Sequence, residues 1–229
     1  MRLCTVGLRI MLCLPAVSGA AQAVGRVELD PVNRRTSANG VGQEARQLIN
    51  WIRATGNNHG QPFAIIDKKS ATLAVFDGAG TLRGASAVLL GLAVGDESIP
   101  GIGERKMSDI LPAERTTPAG RFASEPGVNL QGEDIVWIDY DAAVSMHRVR
   151  TSNKADRRLQ RLASPTPADN RITYGCVNVP AVFYDTFIKP VFGVKPAVVY
   201  VLPETRPASG VFGMRSTGPT AGQLPLAVR

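Results

Sequence analysis

Short apolar runs separated by turn-forming residues constrain the fold of this chain more than any other feature of its sequence. Three such runs follow Pro62, at 63–67, 72–76 and 81–90. A Lys-Lys-Ser break separates the first two runs, and an Asp-Gly-Ala-Gly turn separates the second from the third. Runs of this length bounded by turn residues are typical of β-strands. The sequence therefore predicts a hairpin meander here.

The rest of the chain adds strands and a few helices to this meander. Strands are predicted at 135–138, 143–146 and 194–202, and another begins near Phe122. Helices are predicted at 44–54, ended by Gly56; at 154–162, with Leu159 and Leu162 as inner contacts; and at 180–188, with Pro180 in the first turn. The predicted fold class is mainly β with a few helices (α+β).

The glycine- and proline-rich segment 91–120 is predicted to be loop. It contains Gly101-Ile102-Gly103, but the strand-to-helix context of a nucleotide-binding loop does not surround these residues.

The first residues have the pattern of an export signal. Arg2 and Arg9 precede a short apolar run, and the segment closes on small residues at Ala21 and Ala23. We therefore expect a signal peptide at 1–23 and an exported protein in the periplasm or cell wall. No later run is long enough to span a bilayer, so stable membrane insertion is not expected.

The remaining chain divides into three predicted parts. These are a leader with one short helix at 24–61, a main domain at 62–202 and a disordered tail at 203–229, rich in proline and glycine. The formal charge of +7 includes the two signal arginines, so the exported protein carries 7 − 2 = +5. This charge favours an acidic partner such as a carboxylate-rich polymer. Nucleic acid is disfavoured, because the basic residues are not interleaved with aromatic ones.

Cys176 is the only cysteine left after removal of the signal, which takes Cys4 and Cys13. A lone thiol in an oxidising compartment has no disulfide partner, and it becomes a nucleophile when a histidine serves as base. His147, at the end of a predicted strand, is a better partner than His59, which lies in a polar turn. A buried structural cysteine and a histidine bonded to a carbonyl remain the alternative reading of this pair.

The cysteine and histidine counts argue against a metal site. One cysteine and two histidines do not make a cysteine-rich zinc site, so no metal and no cofactor are expected.

The basic stretch between His147 and Cys176 has two interpretations. It is either a solvated insertion or a positively charged wall over an acidic substrate.

Three ordered elements resemble the L,D-transpeptidases with a YkuD-type catalytic domain. The segment 173–179 (Thr-Tyr-Gly-Cys-Val-Asn-Val) is similar to their cysteine signature, and 117–122 (Thr-Pro-Ala-Gly-Arg-Phe) is similar to their Thr-Pro-x-Gly-x-Phe element. The first hairpin and His147 also fall in the expected order. The resemblance covers about 62–202.

This resemblance implies a curved β-sheet sandwich or barrel with a helix after the cysteine. It also implies acyl transfer on peptidoglycan stem peptides, with Cys176 as nucleophile and His147 as base. Backbone N–H groups around Tyr174, Gly175 and Cys176 would support the oxyanion, and the carbonyl of Arg148 would orient the His147 ring. We expect Thr173, Asn178 and Arg150 to contact substrate, and carbapenems to bind covalently.

Four departures from the family pattern concern the surroundings of the thiol. Arg148 replaces a small residue, Tyr174 stands where many members have histidine, Asn178 stands where many have arginine, and the interval from His147 to Cys176 is long. Two other functions remain open. One is an L,D-carboxypeptidase or peptidoglycan hydrolase using the same pair, and the other is a catalytically inactive wall-binding protein.

Overall fold

The computed structural model describes residues 41–214. The predicted signal peptide 1–23, the start of the leader at 24–40 and the tail from 215 lie outside the described residues. Among residues 41–214, no helix is long and apolar enough to cross a bilayer.

Within residues 41–214 the strands are β1 (Phe63–Asp67), β2 (Thr72–Phe76), β3 (Leu82–Ala87), β4 (Leu90–Gly91), β5 (Gly120–Val128), β6 (Asp134–Asp139), β7 (Val144–Arg148), β8 (Arg171–Thr173), β9 (Val177–Val179) and β10 (Ala197–Leu202). Eight of them form a mixed sheet in the order β3-β2-β1-β10-β5-β6-β7-β9. Parallel pairing joins β1 to β10 and β7 to β9, and the short strands β4 and β8 form a separate parallel pair. The mainly β prediction is confirmed.

The sheet curls until its two edges nearly meet. Leu89, just after edge strand β3, exchanges two backbone hydrogen bonds of 2.9 Å with Asn178 in β9, the opposite edge strand. Paired edge groups no longer offer a template for another chain. The result is a nearly closed, barrel-like sheet, and it brings β9 to the place where the cysteine signature lies.

Alternating side chains of the strands fill two cores. On one face, Ala64 and Ile66 pack with Met146, Val177 and the helix that follows the cysteine. On the other face, residues such as Phe63 pack against the first helix, α1 (Gln43–Thr55). The helix predicted at 44–54 is confirmed, and it ends at Gly56, which has a positive φ of 65°. It is part of a core rather than a separate leader element.

The helix after the cysteine is longer than predicted. Its three consecutive pieces are α3 (Ala181–Phe183), a π-helical segment (Tyr184–Ile188) and α4 (Lys189–Phe192). The predicted helix ends at residue 188, two residues before Pro190, which has no N–H group for an ordinary helical bond. The wider π-helical turn before Pro190 relieves the clash of the proline ring with the preceding turn, and the helix continues past it.

The helix predicted at 154–162 is wrong as a single element. A short 3₁₀ turn covers Lys154–Asp156, and α2 (Arg158–Ala163) begins only after Arg157, whose φ of 51° interrupts the helical geometry. Leu162 is buried as expected, but Leu159 is 56% exposed and is not an inner contact.

Other boundaries also moved. The strand predicted at 81–90 is divided into β3 and β4, the strand near Phe122 runs over nine residues, and β8 was not predicted. The predicted disordered tail is wrong for 203–214. There α5 (Ala208–Phe212) packs Phe212 against Tyr200, with ring centroids 5.9 Å apart.

The most unexpected burial is at Lys68, which the sequence places in a polar break. Its side chain is fully buried, and Nζ donates to Asp96 Oδ1 at 2.8 Å and to the Thr117 carbonyl at 2.9 Å. Glu204 lies 3.5 Å from the same Nζ and is also paired with Arg171. We call Lys68, Asp96, Arg171 and Glu204 the buried ion cluster. It joins the loop 91–117 to the end of β10.

Ionisation of Asp96 is favoured within this cluster. Burial by itself raises the pKa of the Asp96 carboxyl, but hydrogen bonds from Lys68 and from Thr205 and the backbone of Glu204 outweigh that effect. The pKa of Asp96 is therefore held well below its usual range.

Candidate active site

Parallel pairing of β7 with β9 places the candidate catalytic residues on one side of the sheet. His147 is the register partner of Asn178, and Met146 is the partner of Val177. Successive side chains along a strand alternate between the two faces. Ser145 and His147 therefore share a face, and Cys176, the residue before β9, lies beside Ser145.

Most of the sequence-predicted site residues line one cleft of about 210 Å³. From the predicted set the lining includes His147, Arg150, Thr173, Tyr174, Cys176 and Asn178. Residues that sequence reasoning missed also line it: Met107, Ser152, Asn153, Asp156 and Arg158. The structure thus brings the predicted residues together, and it adds the basic insertion to their surroundings.

The segment that carries the thiol is held by hydroxyl groups of two threonines. Thr173 Oγ1 donates to the Cys176 carbonyl at 2.7 Å and accepts from the Gly175 N–H at 3.2 Å. Thr117 Oγ1 donates to the Gly175 carbonyl at 2.8 Å and accepts from the Gly91 N–H at 2.9 Å. The backbone on both sides of the sulfur is therefore fixed before any substrate binds.

Gly175 is required by this geometry. Its φ is 132°, a conformation that residues with a side chain rarely adopt, and an added Cβ would lie 2.7 Å from the Thr116 carbonyl oxygen. Beside it, the Tyr174 ring stacks under the Arg115 guanidinium, 3.9 Å from ring centroid to Cζ. Only glycine fits at this position of the cysteine signature, because the backbone passes close to the Thr116 carbonyl.

The imidazole of His147 is oriented at both ring nitrogens. Nδ1 lies 2.8 Å from the carbonyl oxygen of Arg148, so Nδ1 carries the proton and donates. Nε2 lies 3.2 Å from Asn178 Nδ2 and accepts from it. The Arg148 carbonyl and the Asn178 amide thus hold the ring from its two nitrogen atoms.

Several effects act on the charge of this imidazole. Burial lowers the pKa of His147 below its ordinary value, the hydrogen bond to the Arg148 carbonyl opposes this, and the positive charges of Arg150 and Arg158 lower it further. The neutral ring, which has a lone pair for a proton, is therefore the favoured form near neutral pH.

The thiol of Cys176 does not bond to His147 in this structure. Within residues 41–214, its hydrogen-bond partners are Ser145 Oγ and the Ala143 carbonyl, both at 3.6 Å. The two side chains share a cleft and a face of the sheet, but the resting lone pair of Nε2 faces Asn178. Transfer of the thiol proton to His147 therefore requires a local rearrangement.

The two arginines next to His147 are held by acidic side chains. The Arg148 guanidinium binds Asp134 at 3.0 Å and Asp185 at 2.5 Å and covers the Tyr184 ring, and it is not part of the cleft lining. Arg150 lines the cleft and pairs with Glu133 at 2.5 Å. Arg148 therefore contributes its carbonyl to the site and its side chain to the packing against the helix after the cysteine.

The basic insertion is folded onto the site. Arg158 Nη1 donates to Asn178 Oδ1 at 2.6 Å, and its Nε donates to Asp156 at 2.8 Å. Arg161 donates to the carbonyls of Asp156 and Asp169, at 2.8 and 2.9 Å. Of the two interpretations of the insertion, the wall beside the cleft fits these contacts better than a freely solvated loop.

No group of His, Cys, Asp or Glu side chains within residues 41–214 is arranged to hold a metal ion. The chemistry available at this site is that of a thiol, an imidazole, fixed backbone amides and guanidinium groups.

Comparison with known proteins gives similarity in fold. No protein-family model and no curated protein matches the chain. The helical cell shape determining protein Pgp2 from Campylobacter jejuni is 16% identical with a TM-score of 0.42, over 64% of this chain and 49% of that one. The catalytic domain of an E. faecium L,D-transpeptidase is 17% identical with a TM-score of 0.34, over 62% of this chain and 98% of that one.

A third solved structure, L,D-transpeptidase LdtMt1 in complex with imipenem, is 14% identical with a TM-score of 0.34, over 62% of this chain and 58% of that one. The chain spans about half the length of Pgp2. At these identities the likeness concerns the fold, so the case for a function rests on the residues of the cleft.

Proposed function

We propose that this protein is an exported cysteine acyltransferase that acts on peptidoglycan stem peptides as an L,D-transpeptidase. The single observation that carries the proposal is the shared cleft of Cys176 and His147, in which the Arg148 carbonyl fixes the imidazole with its lone pair on Nε2. The cysteine signature and the export pattern at 1–23 support the same conclusion. Neither a metal nor a cofactor takes part in the proposed reaction.

In the proposed reaction, Cys176 attacks the carbonyl carbon of the L-centre at the third position of a stem peptide. The thiol proton passes to His147 Nε2, a C–S bond forms, and the C–N bond to the terminal D-alanine breaks. The departing amine takes the proton from His147. An amine of a second stem then attacks the thioester and releases the thiol, whereas attack by water gives the shortened peptide alone.

The oxyanion of the tetrahedral intermediate needs N–H donors near the thiol. The Gly175 N–H is already directed at Thr173 Oγ1, so we assign this role to the neighbouring amides of Tyr174 and Cys176. The hydroxyl groups of Thr173 and Thr117 hold that backbone in place before the substrate binds, as stabilisation of an oxyanion requires.

The charge of the cleft agrees with the proposed substrate. Stem peptides carry carboxylates, and the guanidinium groups of Arg150 and Arg158 line the cleft. Guanidinium groups bind carboxylates through paired hydrogen bonds. Arg150 is the more exposed of the two and exchanges its bond to Glu133 at little cost.

The test is turnover of a defined substrate. The mature protein is incubated with a disaccharide-tetrapeptide, and the products are identified by mass spectrometry. Cross-linked dimers with release of D-alanine are expected from the wild type and are absent from Cys176→Ala. Tripeptide without dimers would replace the transferase by an L,D-carboxypeptidase or hydrolase.

Absence of any product, together with retained binding to isolated cell walls, would favour the inactive wall-binding protein. The resting geometry, in which the thiol is bonded to Ser145 and Ala143, is the observation that keeps this alternative worth testing.

A further inference from the structure

One arginine of the basic insertion, Arg158, contacts the Asn178 amide that faces His147, the proposed base. We propose that Arg158 is a positioning residue that orients the Asn178 amide, so that its N–H group and not its carbonyl faces His147 Nε2. This inference rests on the proposed function only in that His147 is taken as the base of the reaction.

Donors and acceptors fix which end of the Asn178 amide faces Arg158. A guanidinium has donors and no acceptor, so the Asn178 atom 2.6 Å from Arg158 Nη1 must be the carbonyl oxygen. The other end of the amide, which lies 3.2 Å from His147 Nε2, is then the NH₂ group. Arg158 thereby decides which end of Asn178 the imidazole meets.

The orientation of the amide in turn selects the tautomer of the His147 imidazole. Nδ1 faces the carbonyl of Arg148, which only accepts, and Nε2 faces the NH₂ group of Asn178, which only donates. A proton on Nε2 would place two N–H groups against each other. The arrangement therefore favours the neutral ring with its hydrogen on Nδ1, the tautomer that a base acting through Nε2 requires.

Arg158 is itself held in place by its neighbours. Its Nε is bonded to Asp156, and α2 begins at Arg158 itself, so the guanidinium is aimed from a folded element. Asn178 is buried in β9 and is bonded to Leu89 through its backbone, which leaves rotation of the amide as its main freedom. The interval between His147 and Cys176, longer than in the resembling family, is what supplies this contact.

Without Arg158 the amide is free to turn its oxygen toward Nε2, where it would stabilise the protonated ring. The charged groups that act on His147 are Arg150 and Arg158 from the insertion side and Glu133 from the turn between β5 and β6. The Cys176 thiol lies in the same cleft. The test is made in a Cys176→Ala background, because a thiol and an imidazole in one site titrate together.

The experiment is an NMR titration of the two histidines in the full mature chain. His59 is the only other histidine and serves as an internal reference. In Arg158→Gln we expect the pKa of His147 to rise by about one unit, because the amide oxygen can then turn toward Nε2 and because one positive charge near the ring is lost. The ¹⁵N shifts should show loss of the preference for the Nδ1–H tautomer, and Arg158→Lys should restore most of both.

Two controls separate positioning from charge and from loosening of the insertion. Arg150→Gln removes the other arginine charge that lowers the pKa of His147 and leaves the bond from Arg158 to Asn178 in place. We expect a smaller rise in the pKa of His147 and no change in tautomer. Arg161→Gln loosens the insertion through its bonds to Asp156 and Asp169, and we expect no change in tautomer.

An unchanged titration in Arg158→Gln, or equal shifts in either control, would overturn the assignment of Arg158. The titration needs no substrate, so its result is independent of the peptidoglycan assay. If Arg158→Gln shifts the titration of His147 as expected but the wild type shows no turnover, the proposed function fails and the assignment of Arg158 stands.

Discussion

Two groups of charged and polar side chains join distant parts of this chain, and they differ in their exposure to solvent. The buried ion cluster has Lys68, Asp96 and Glu204 almost fully buried, and every charge has an opposite partner. A series of hydrogen-bonded side chains, from Asp156 through Arg158 and Asn178 to His147, lines an open cleft. We call this second group the site network. The cluster supports the loop that carries Thr117, whereas the site network sets the state of one imidazole.

The difference in burial indicates which of the two groups stabilises the fold and which one positions a side chain of the site. A buried charge that loses its partner pays its full desolvation cost, so the cluster should govern the free energy of unfolding. The side chains of the Arg158–Asp156 pair in the site network are 21% and 23% exposed, so water replaces their bond at a lower cost when it is broken. The site network should therefore govern reactivity with little effect on stability.

The largest effect is expected from Lys68→Met. It leaves Asp96 buried without its cation, and the free energy of unfolding should fall by about 3–5 kcal/mol. The adjacent Lys69→Met is the matched control, because its bond to Glu44 is exposed on both sides and should be worth less than about 1 kcal/mol. Urea denaturation measures both, and equal losses would remove the distinction between the two regions.

A smaller loss is expected from Thr117→Val, which tests the link between the regions. The change leaves the buried Gly91 N–H and Gly175 carbonyl without their partner and should cost about 1–3 kcal/mol. It should also reduce turnover, because the Gly175 carbonyl lies beside the thiol. Thr116→Val loses only an exposed bond to the Glu97 carbonyl, and a comparable effect there would contradict the role of Thr117.

Acid should weaken the buried ion cluster next. The pKa of Asp96 in the folded state is below its unfolded value of about 3.9, so the folded protein binds fewer protons there between the two values. Its contribution to stability is complete above about pH 4 and is lost as the pH falls toward the folded pKa. Asp96→Asn should flatten the dependence of unfolding free energy on pH below 4.

The comparison for this prediction is Glu114→Gln. Arg105 lowers the pKa of Glu114 through a hydrogen bond, but the carboxylate is near the surface, so its removal should leave the slope nearly unchanged. A slope that responds equally to both substitutions would show that burial of the cluster is not what matters.

The smallest effect on stability is expected from Arg158→Gln. Its bonds lie in an open cleft, so the free energy of unfolding should change by less than about 1 kcal/mol even though His147 titrates differently. Thermal and urea denaturation provide the measurement. A loss as large as that of Lys68→Met would place the site network with the structural charges.

The sequence predicted the local parts of this fold better than the long-range ones. The apolar runs at 63–67 and 72–76 and the amphipathic helix α1 were readable because their periodicity is carried by neighbouring residues. Strand β8 was missed because it has three residues and pairs with β4, about 80 positions away. A pairing of that kind leaves no local pattern.

Lys68 shows how a local rule failed. A Lys-Lys-Ser segment between strands indicates an exposed turn, but Lys68 lies two residues after Ile66, in phase with the β1 residues that pack with Met146. Both faces of β1 are buried, so strand phase alone gave no signal that set Lys68 apart. Its partner Asp96 lies in the irregular loop 91–117, so the ion pair itself could not be predicted.

In the site, the motif around the thiol identified the cleft residues from Thr173 to Asn178, and His147 was found as the other member of the pair. Arg158 was not singled out, because its contact depends on the break at Arg157 that starts α2 and turns the side chain toward Asn178. The excess of arginine in the insertion was the available signal, and it did not say which arginine reaches the site.

The most direct measurement of the central claim is the intact mass of the mature protein after exposure to a carbapenem. A nucleophilic Cys176 should open the lactam and gain one drug mass as a thioester. His147→Asn should slow this reaction, and Cys176→Ala should show no adduct. A wild-type mass that stays unchanged, or an adduct that persists in Cys176→Ala, would contradict the account.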